Sequence, residues 1–246
     1  MSFLKATSMA CIALTLGACS SLFPANAPLQ PKHEAWEHTK PGCTNGADCP
    51  LVNLDTLHFA DEPQLDALIQ QRLLQMTHNS PDQPAAASLQ AYEQQFMRTA
   101  EPRYATYLQA KLREQHDGLV IIELSSYMDT GGAHGMPGRG FINWSRREQR
   151  ELTLKDMLLP GQEDAFWKAA EEAHRGWLTG ETGQGPDFAK TWPFQKTSHI
   201  ALTRAGVILK YDVYSIAPYS MGHPELKIDY RRLNGVIKPE LVPSHD

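Results

Sequence analysis

Tyr104-Ala105-Thr106-Tyr107-Leu108-Gln109-Ala110-Lys111-Leu112-Arg113-Glu114-Gln115-His116-Asp117-Gly118-Leu119-Val120-Ile121-Ile122-Glu123-Leu124-Ser125-Ser126-Tyr127-Met128 decides how this chain folds. Tyr104, Thr106, Leu108, Ala110 and Leu112 alternate with more polar neighbours, the period of two that sends successive side chains to opposite faces of a strand. Asp117-Gly118 is a hairpin signal, because both residue types tolerate the positive φ that a tight turn needs. Leu119-Val120-Ile121-Ile122 then leads the returning strand as far as Met128.

Toward the N-terminus, Leu51 to Phe59 reads as a short strand. Asp61 is placed to cap a helix whose first turn holds Glu62 and Pro63. Leu65, Leu68, Ile69, Leu73 and Met76 form the apolar stripe of that helix, and Asn79-Ser80-Pro81 ends it. A second helix is predicted from about Ala86 to Thr99, with Leu89, Tyr92 and Phe96 on one face.

Toward the C-terminus, the Gly-rich loop Asp129-Thr130-Gly131-Gly132-Ala133-His134-Gly135 precedes a strand at Phe141 to Trp144. A helix follows over about Gln162 to Leu178, with Phe166, Ala170, Ala173 and Trp177 inward and Gly180 at its stop. His199 to Thr203 and Val207 to Tyr214 form a second hairpin around Ala205-Gly206. Ala217-Pro218-Tyr219-Ser220-Met221-Gly222 breaks the sheet before a last strand at Leu226 to Tyr230. Antiparallel hairpins separated by helices define an α+β class, an antiparallel β-sheet with packed helices.

The N-terminus carries its own message. Lys5 is followed by the uncharged, mostly apolar run Ala6 to Leu16, then Leu16-Gly17-Ala18-Cys19-Ser20-Ser21. A charged start, a short apolar core and small residues before a cut are the marks of an export signal, and the run is shorter than the ~20 residues a bilayer span requires. Cys19 directly after Gly-Ala, with Leu16 three residues before it, resembles the bacterial lipobox. That resemblance implies a signal peptide over 1–18, diacylglycerol and acyl chains (palmitate among them) on Cys19, and a membrane anchor. Ser20, rather than Asp, implies the outer membrane by similarity to Gram-negative lipoproteins. Residues 19–42, with Pro24, Pro28, Pro31 and Pro41 and no sustained apolar periodicity, read as an extended tether.

The folded part is expected over roughly 43–243, enough for one good core or two intimate lobes, divided here into an N-terminal half at 43–128 and a C-terminal half at 129–243. A formal charge of −5 without any basic block argues against nucleic acid as a partner. Cys43 and Cys49 are spaced C-x5-C around Asn45-Gly46, which in an oxidising compartment reads as a disulfide across a small loop. A zinc site there would need two further ligands, and His33 and His38 lie in the expected tether.

Recognisable catalytic patterns are missing: no G-x-S-x-G, H-E-x-x-H, phosphate-binding loop or dinucleotide fingerprint occurs, and no metal or other cofactor is expected. Asp129-Thr130-Gly131 imitates the aspartic-protease triplet, but that chemistry needs two facing aspartates and the chain holds one copy. His134 in its glycine-rich loop has two readings. It is a metal ligand or base, or it satisfies loop carbonyls while the glycines supply positive φ.

Two motifs carry a further resemblance. Tyr127 through Gly135, ending Gly-Gly-Ala-His-Gly and followed by Glu151-Leu152-Thr153-Leu154-Lys155-Asp156-Met157, is one; Tyr214-Ser215-Ile216-Ala217-Pro218-Tyr219-Ser220-Met221-Gly222 is the other. Together they resemble the extracytoplasmic domain of unknown function shared by the anti-sigma factor RsiV, at its C-terminus, and the non-catalytic N-terminal region of the deacetylase PdaC. Cys49-Pro50 through Leu73 and the Tyr104 to Met128 hairpin resemble the companion N-terminal half. The resemblance implies a non-enzymatic receptor domain, since the RsiV domain binds lysozyme, and it makes a lysozyme-like protein or peptidoglycan the expected ligand. The candidate binding loops then comprise Tyr127, Asp129, Gly131, Gly132, His134 and Gly135 on one side and Tyr214, Pro218, Tyr219 and Gly222 on the other, with Trp144 as a further aromatic lining residue. Tyr214 and Tyr219 have an equal reading as core residues pinning the last strands. A structural envelope lipoprotein and a cell-wall hydrolase using Asp129 and His134 are the alternative functions.

Overall fold

The computed structural model describes residues 27–78, 84–180 and 186–244. The expected signal peptide, Cys19 and the Asn79-Ser80-Pro81 stop lie outside the described residues. Among the described residues, two sheets and five α-helices make up the α+β architecture. The larger sheet has six strands in chain order: β1 (Lys32–Thr39), β2 (Leu51–His58), β3 (Ala105–His116), β4 (Leu119–Asp129), β5 (Met136–Ser145) and the two-residue β6 (Arg150–Glu151). The smaller sheet is β7 (Ile200–Thr203), β8 (Gly206–Lys210) and β9 (Glu225–Ile228), all antiparallel.

The decisive hairpin forms as its sequence demands. Asp117 and Gly118 both take positive φ, 46° and 78°, and His116 pairs with Leu119 across the turn. The pairing slips by one residue between Leu112 and Glu114, leaving Arg113 as a bulge. Arg113 then reaches both Glu123, at 2.9 Å, and Glu225, at 3.2 Å, and so bridges the two sheets.

One difference from expectation concerns β2 and β3, which pair in parallel. Helices α1 (Pro63–Gln75) and α2 (Leu89–Thr99) fill the crossover between them, as a parallel connection requires. Their apolar stripes, with Leu65, Ile69, Leu73, Tyr92 and Phe96 buried, cover one sheet face and form a core with Val52, Leu54, Leu108, Val120, Ile122 and Trp144. Ser88 accepts from the Ala91 N–H to cap α2. At the start of α1 the capping position belongs to Glu62, one residue later than expected.

A second core lies across the opposite face of the hairpin. Leu119, Ile121 and Phe141 pack there against α4 (Glu163–Thr179) and the small sheet. Leu119-Val120-Ile121-Ile122 is therefore buried on both faces, which explains its unbroken apolar run. The short helices α3 (Leu154–Met157) and α5 (Pro186–Thr191) flank this second core, and Gly180 ends α4. Asn143 of β5 fastens the lobes: its Nδ2 donates to the Ile200 carbonyl at 2.7 Å, and its Oδ1 accepts from the Leu202 N–H at 2.9 Å.

The expected tether ends earlier than residue 42. Lys32–Thr39 is an edge strand with eight residues in register on β2, and every residue of it except Trp36 is exposed. Its lack of apolar periodicity follows from that edge position, where charged residues are favoured because they discourage further strand addition. Just ahead of it, the Gln115 side chain holds the Leu29 backbone at both its N–H (2.8 Å) and its carbonyl (2.9 Å), while Arg146 donates to the Ala27 carbonyl at 2.6 Å. The division after residue 128 falls at the end of β4, so β5 and β6 of the presumed second half complete the first sheet.

Between β1 and β2 the Cys43–Cys49 disulfide is present, with Cα atoms 5.7 Å apart. It closes the Asn45-Gly46 turn that returns the chain to β2.

Candidate functional site

The two glycine-bearing loops meet. The first connects β4 to β5; the second, after Lys210, leads to β9. Tyr214 and His134 stand 80 residues apart in sequence, yet the Tyr214 hydroxyl lies 3.2 Å from His134 Nε2. Tyr219 stacks closer still, its ring centroid 4.1 Å from that of His134, and its hydroxyl donates to the Gly135 carbonyl at 3.0 Å. The same carbonyl lies 3.0 Å from His134 Nδ1. A carbonyl only accepts, so Nδ1 is the donor in that contact.

Each glycine has its own reason. Gly131 sits at φ 78°, a left-handed turn that Asp129 closes by accepting from the Gly131 N–H at 2.8 Å. Gly132 is exposed, and a β-carbon placed on it would come no closer than 4.0 Å to a neighbour, the His134 carbonyl. Gly135 does not need positive φ. Its place is fixed by Tyr127, whose ring atom Cζ would stand 2.3 Å from a β-carbon there. Gly222 ends the short turn Tyr219–Met221 at φ 67°, and Pro218, in an extended conformation, starts it.

Tyr214 takes a positive φ of 66°, unusual for an aromatic residue, and remains 47% exposed. Tyr219 is half-buried. Neither is a core residue, so the reading of both as pins of the last strands does not hold. Trp144 is the correction on the other side. It is 2% exposed and donates its indole N–H to Glu62 at 3.2 Å within the α1–α2 core, away from the loops.

Asp129 is engaged in its own turn, and His134 in the aromatic junction. Among the described residues no group of three His, Cys, Asp or Glu side chains is arranged to hold a metal ion. The arrangement offers instead an exposed ring surface, Tyr214 against His134 and Tyr219, with hydroxyls as hydrogen-bonding tips.

Beside the junction lies a part of the site that motif reading passed over. Tyr107 meets Tyr127 edge to face at 5.6 Å, and Asn53, Gln109, Ser125 and Arg139 share that sheet face. The signal was the polar half of the same period-two pattern, since Tyr107 and Gln109 alternate with the buried Thr106, Leu108 and Ala110.

Fold and loops together define an α+β protein with a surface junction of two glycine-bearing loops. Residues 155–231 match the family described as "Protein of unknown function (DUF3298)". A DUF3298 family protein from Pseudomonas aeruginosa is 61% identical, with a TM-score of 0.86 over 90% of this chain and 100% of that one. A DUF3298 member from Bacteroides fragilis, 18% identical, shares the fold with a TM-score of 0.63 over 88% of this chain and 96% of its own. No curated protein matches. The chain belongs to the DUF3298 family.

Proposed function

We propose that this protein is a cell-envelope lipoprotein, held by acyl chains on Cys19, that binds an envelope ligand and performs no catalysis. One observation carries the binding half of this reading: Tyr214, exposed and at positive φ, meets His134 of a distant loop at 3.2 Å. A left-handed aromatic residue costs of order 1–3 kcal/mol, and such strain gathers at ligand-contacting positions. Rigid tyrosine faces with polar tips suit both protein hot spots and sugars. The anchoring half is supported by Leu16-Gly17-Ala18-Cys19, and the Cys43–Cys49 disulfide accords with an oxidising compartment. The resemblance to the RsiV and PdaC domains makes a lysozyme-like protein or peptidoglycan the ligand of choice.

Two measurements test it. Metabolic labelling with palmitate is expected to mark the native chain and to fail for Cys19→Ser; an unlabelled native chain overturns the anchor. Folded protein is expected to be retained by immobilised lysozyme or by purified sacculi, and Tyr214→Ala is expected to reduce that retention. Retention by neither overturns the binding reading.

A further inference from the structure

The face of the large sheet that carries the second core is left uncovered at its far end, where the strand register lays out two rows. Glu37, Asn53, Tyr107, Tyr127 and Pro137 stand side by side across β1 to β5. Two residues along, Ala35, Asp55, Gln109, Ser125 and Arg139 form the parallel row. Neither row contains a Leu, Ile, Val, Phe or Met, although both lie on the sheet that holds the first core on its other face. The central residues are neither buried nor fully exposed, and they line a groove of about 230 Å³.

Side-chain pairing pre-orients this face. Glu37 accepts from Asn53 Nδ2 at 2.6 Å, and Asp55 accepts from Gln109 Nε2 at 2.6 Å. Each carboxylate thereby fixes an amide plane and aims its oxygen as an acceptor. Tyr107 lies edge to face with Tyr127 at an interplanar angle of 72°. Arg139 donates one Nη1 bond to the Gly138 carbonyl at 2.8 Å and has no carboxylate within ion-pair distance among the described residues. Its other guanidinium N–H groups form a fixed fork of donors.

We infer that this groove binds a glycan strand, the sheet face taking sugar rings against Tyr107 and Tyr127 while Asn53, Gln109, Ser125 and Arg139 hydrogen-bond their hydroxyl and acetamido groups. The inference rests on the binding reading above and narrows its ligand to the carbohydrate class. Three observations favour a glycan over the alternatives. A protein hot spot needs a desolvated apolar centre, which these rows lack. A nucleic acid needs a basic track, and here Glu37 and Asp55 stand against Arg139. A sugar ring presents C–H faces to an aromatic ring and polar groups around its rim, matching tyrosines flanked by amides and a hydroxyl. From β2 to β5 the groove spans three interstrand steps of about 4.8 Å, or about 14 Å, room for a short oligosaccharide. It runs directly into the loop junction, because Tyr127 also packs against Gly135.

The test titrates the folded, full-length protein with peptide-stripped peptidoglycan glycan strands and with an N-acetylglucosamine tetramer, followed by calorimetry. Saturable binding is expected, weakened about tenfold by Tyr107→Ala, a loss equal to one aromatic contact of about 1.4 kcal/mol. Gln109→Ala is the second variant, and both are checked for native circular dichroism. Binding that neither variant alters overturns the groove assignment. Retention of intact sacculi or lysozyme with no affinity for stripped glycans overturns the glycan inference while leaving the binding reading in place. Absence of all three interactions overturns both.

Discussion

The ring of Tyr127 occupies the space in which a β-carbon on Gly135 would have to sit, its Cζ, Oη and Cε2 atoms 2.3, 2.5 and 2.7 Å from that position. The ring abuts Tyr107 on one side and lines the open groove on the other, so relief of the clash means turning the ring out of its place. Gly135→Ala is therefore expected to displace Tyr127 and break the carbonyl contacts that His134 and Tyr219 make with residue 135. A cost of about 1–3 kcal/mol, typical of overpacking, is expected in urea unfolding. Gly132→Ala, where space is available, is expected to cost well under half as much.

Reduction or replacement of the disulfide frees the β1–β2 connection. Loop-closure entropy for so short a ring gives about 2 kcal/mol. Cys43→Ser with Cys49→Ser is expected to lower the unfolding free energy from denaturant titration by that amount, and an unchanged value would show that the Lys40–Ala100 contact and strand register already hold the turn.

Glu62 is 3% exposed and accepts from Trp144 Nε1, Arg146 Nε and Gln149 Nε2. Glu62→Leu removes the acceptor and leaves the Arg146 guanidinium, in a side chain only 8% exposed, without its carboxylate. A loss of about 3 kcal/mol is expected from denaturant titration.

Stability is expected to fall on mild acidification. Burial holds the imidazoles of His174, His199 and His223 below their ordinary 6.5; for His199 Asp212 opposes this and Arg72 reinforces it, while Arg139 reinforces it for His223. The unfolded chain takes up protons near that ordinary value while the folded chain resists them. The contribution is thus full above about pH 6.5 and lost as pH falls through the lower folded values, at up to about 1.4 kcal/mol per pH unit for each group. His174 stacks on Trp177 and faces Glu171, which partly offsets the burial. His174→Gln is expected to flatten the slope between about pH 6.5 and 5 in paired denaturation curves.

Much of the fold was legible because its signals are local. Asp117-Gly118 needs only its own φ angles, and the stripe of α4 needs only helical spacing. β1 reads as tether because an edge strand exposed on both faces leaves no apolar imprint. The parallel pairing of β2 with β3 was missed because a crossover of two helices erases the hairpin signal that marks antiparallel neighbours. At the site, Tyr214, Tyr219 and His134 stood out through the glycines beside them, whereas Trp144 misled because an isolated indole carries no mark of which face it points to. Arg139 and Asn53 were invisible for a different reason: they reach one groove from neighbouring rows only through pairing across four strands, and no sequence window spans that.

Gln115 grips the Leu29 backbone at two points, and Arg146 takes the carbonyl of Ala27. A pull on the chain from ahead of Ala27 is thus delivered to the end of β3 and to the Glu62–Arg146 pair, deep in the molecule. The edge strand that follows carries no load until that fastening gives way. Drag on the body would test a knot of half-buried hydrogen bonds rather than peel β1 from the sheet like a zip.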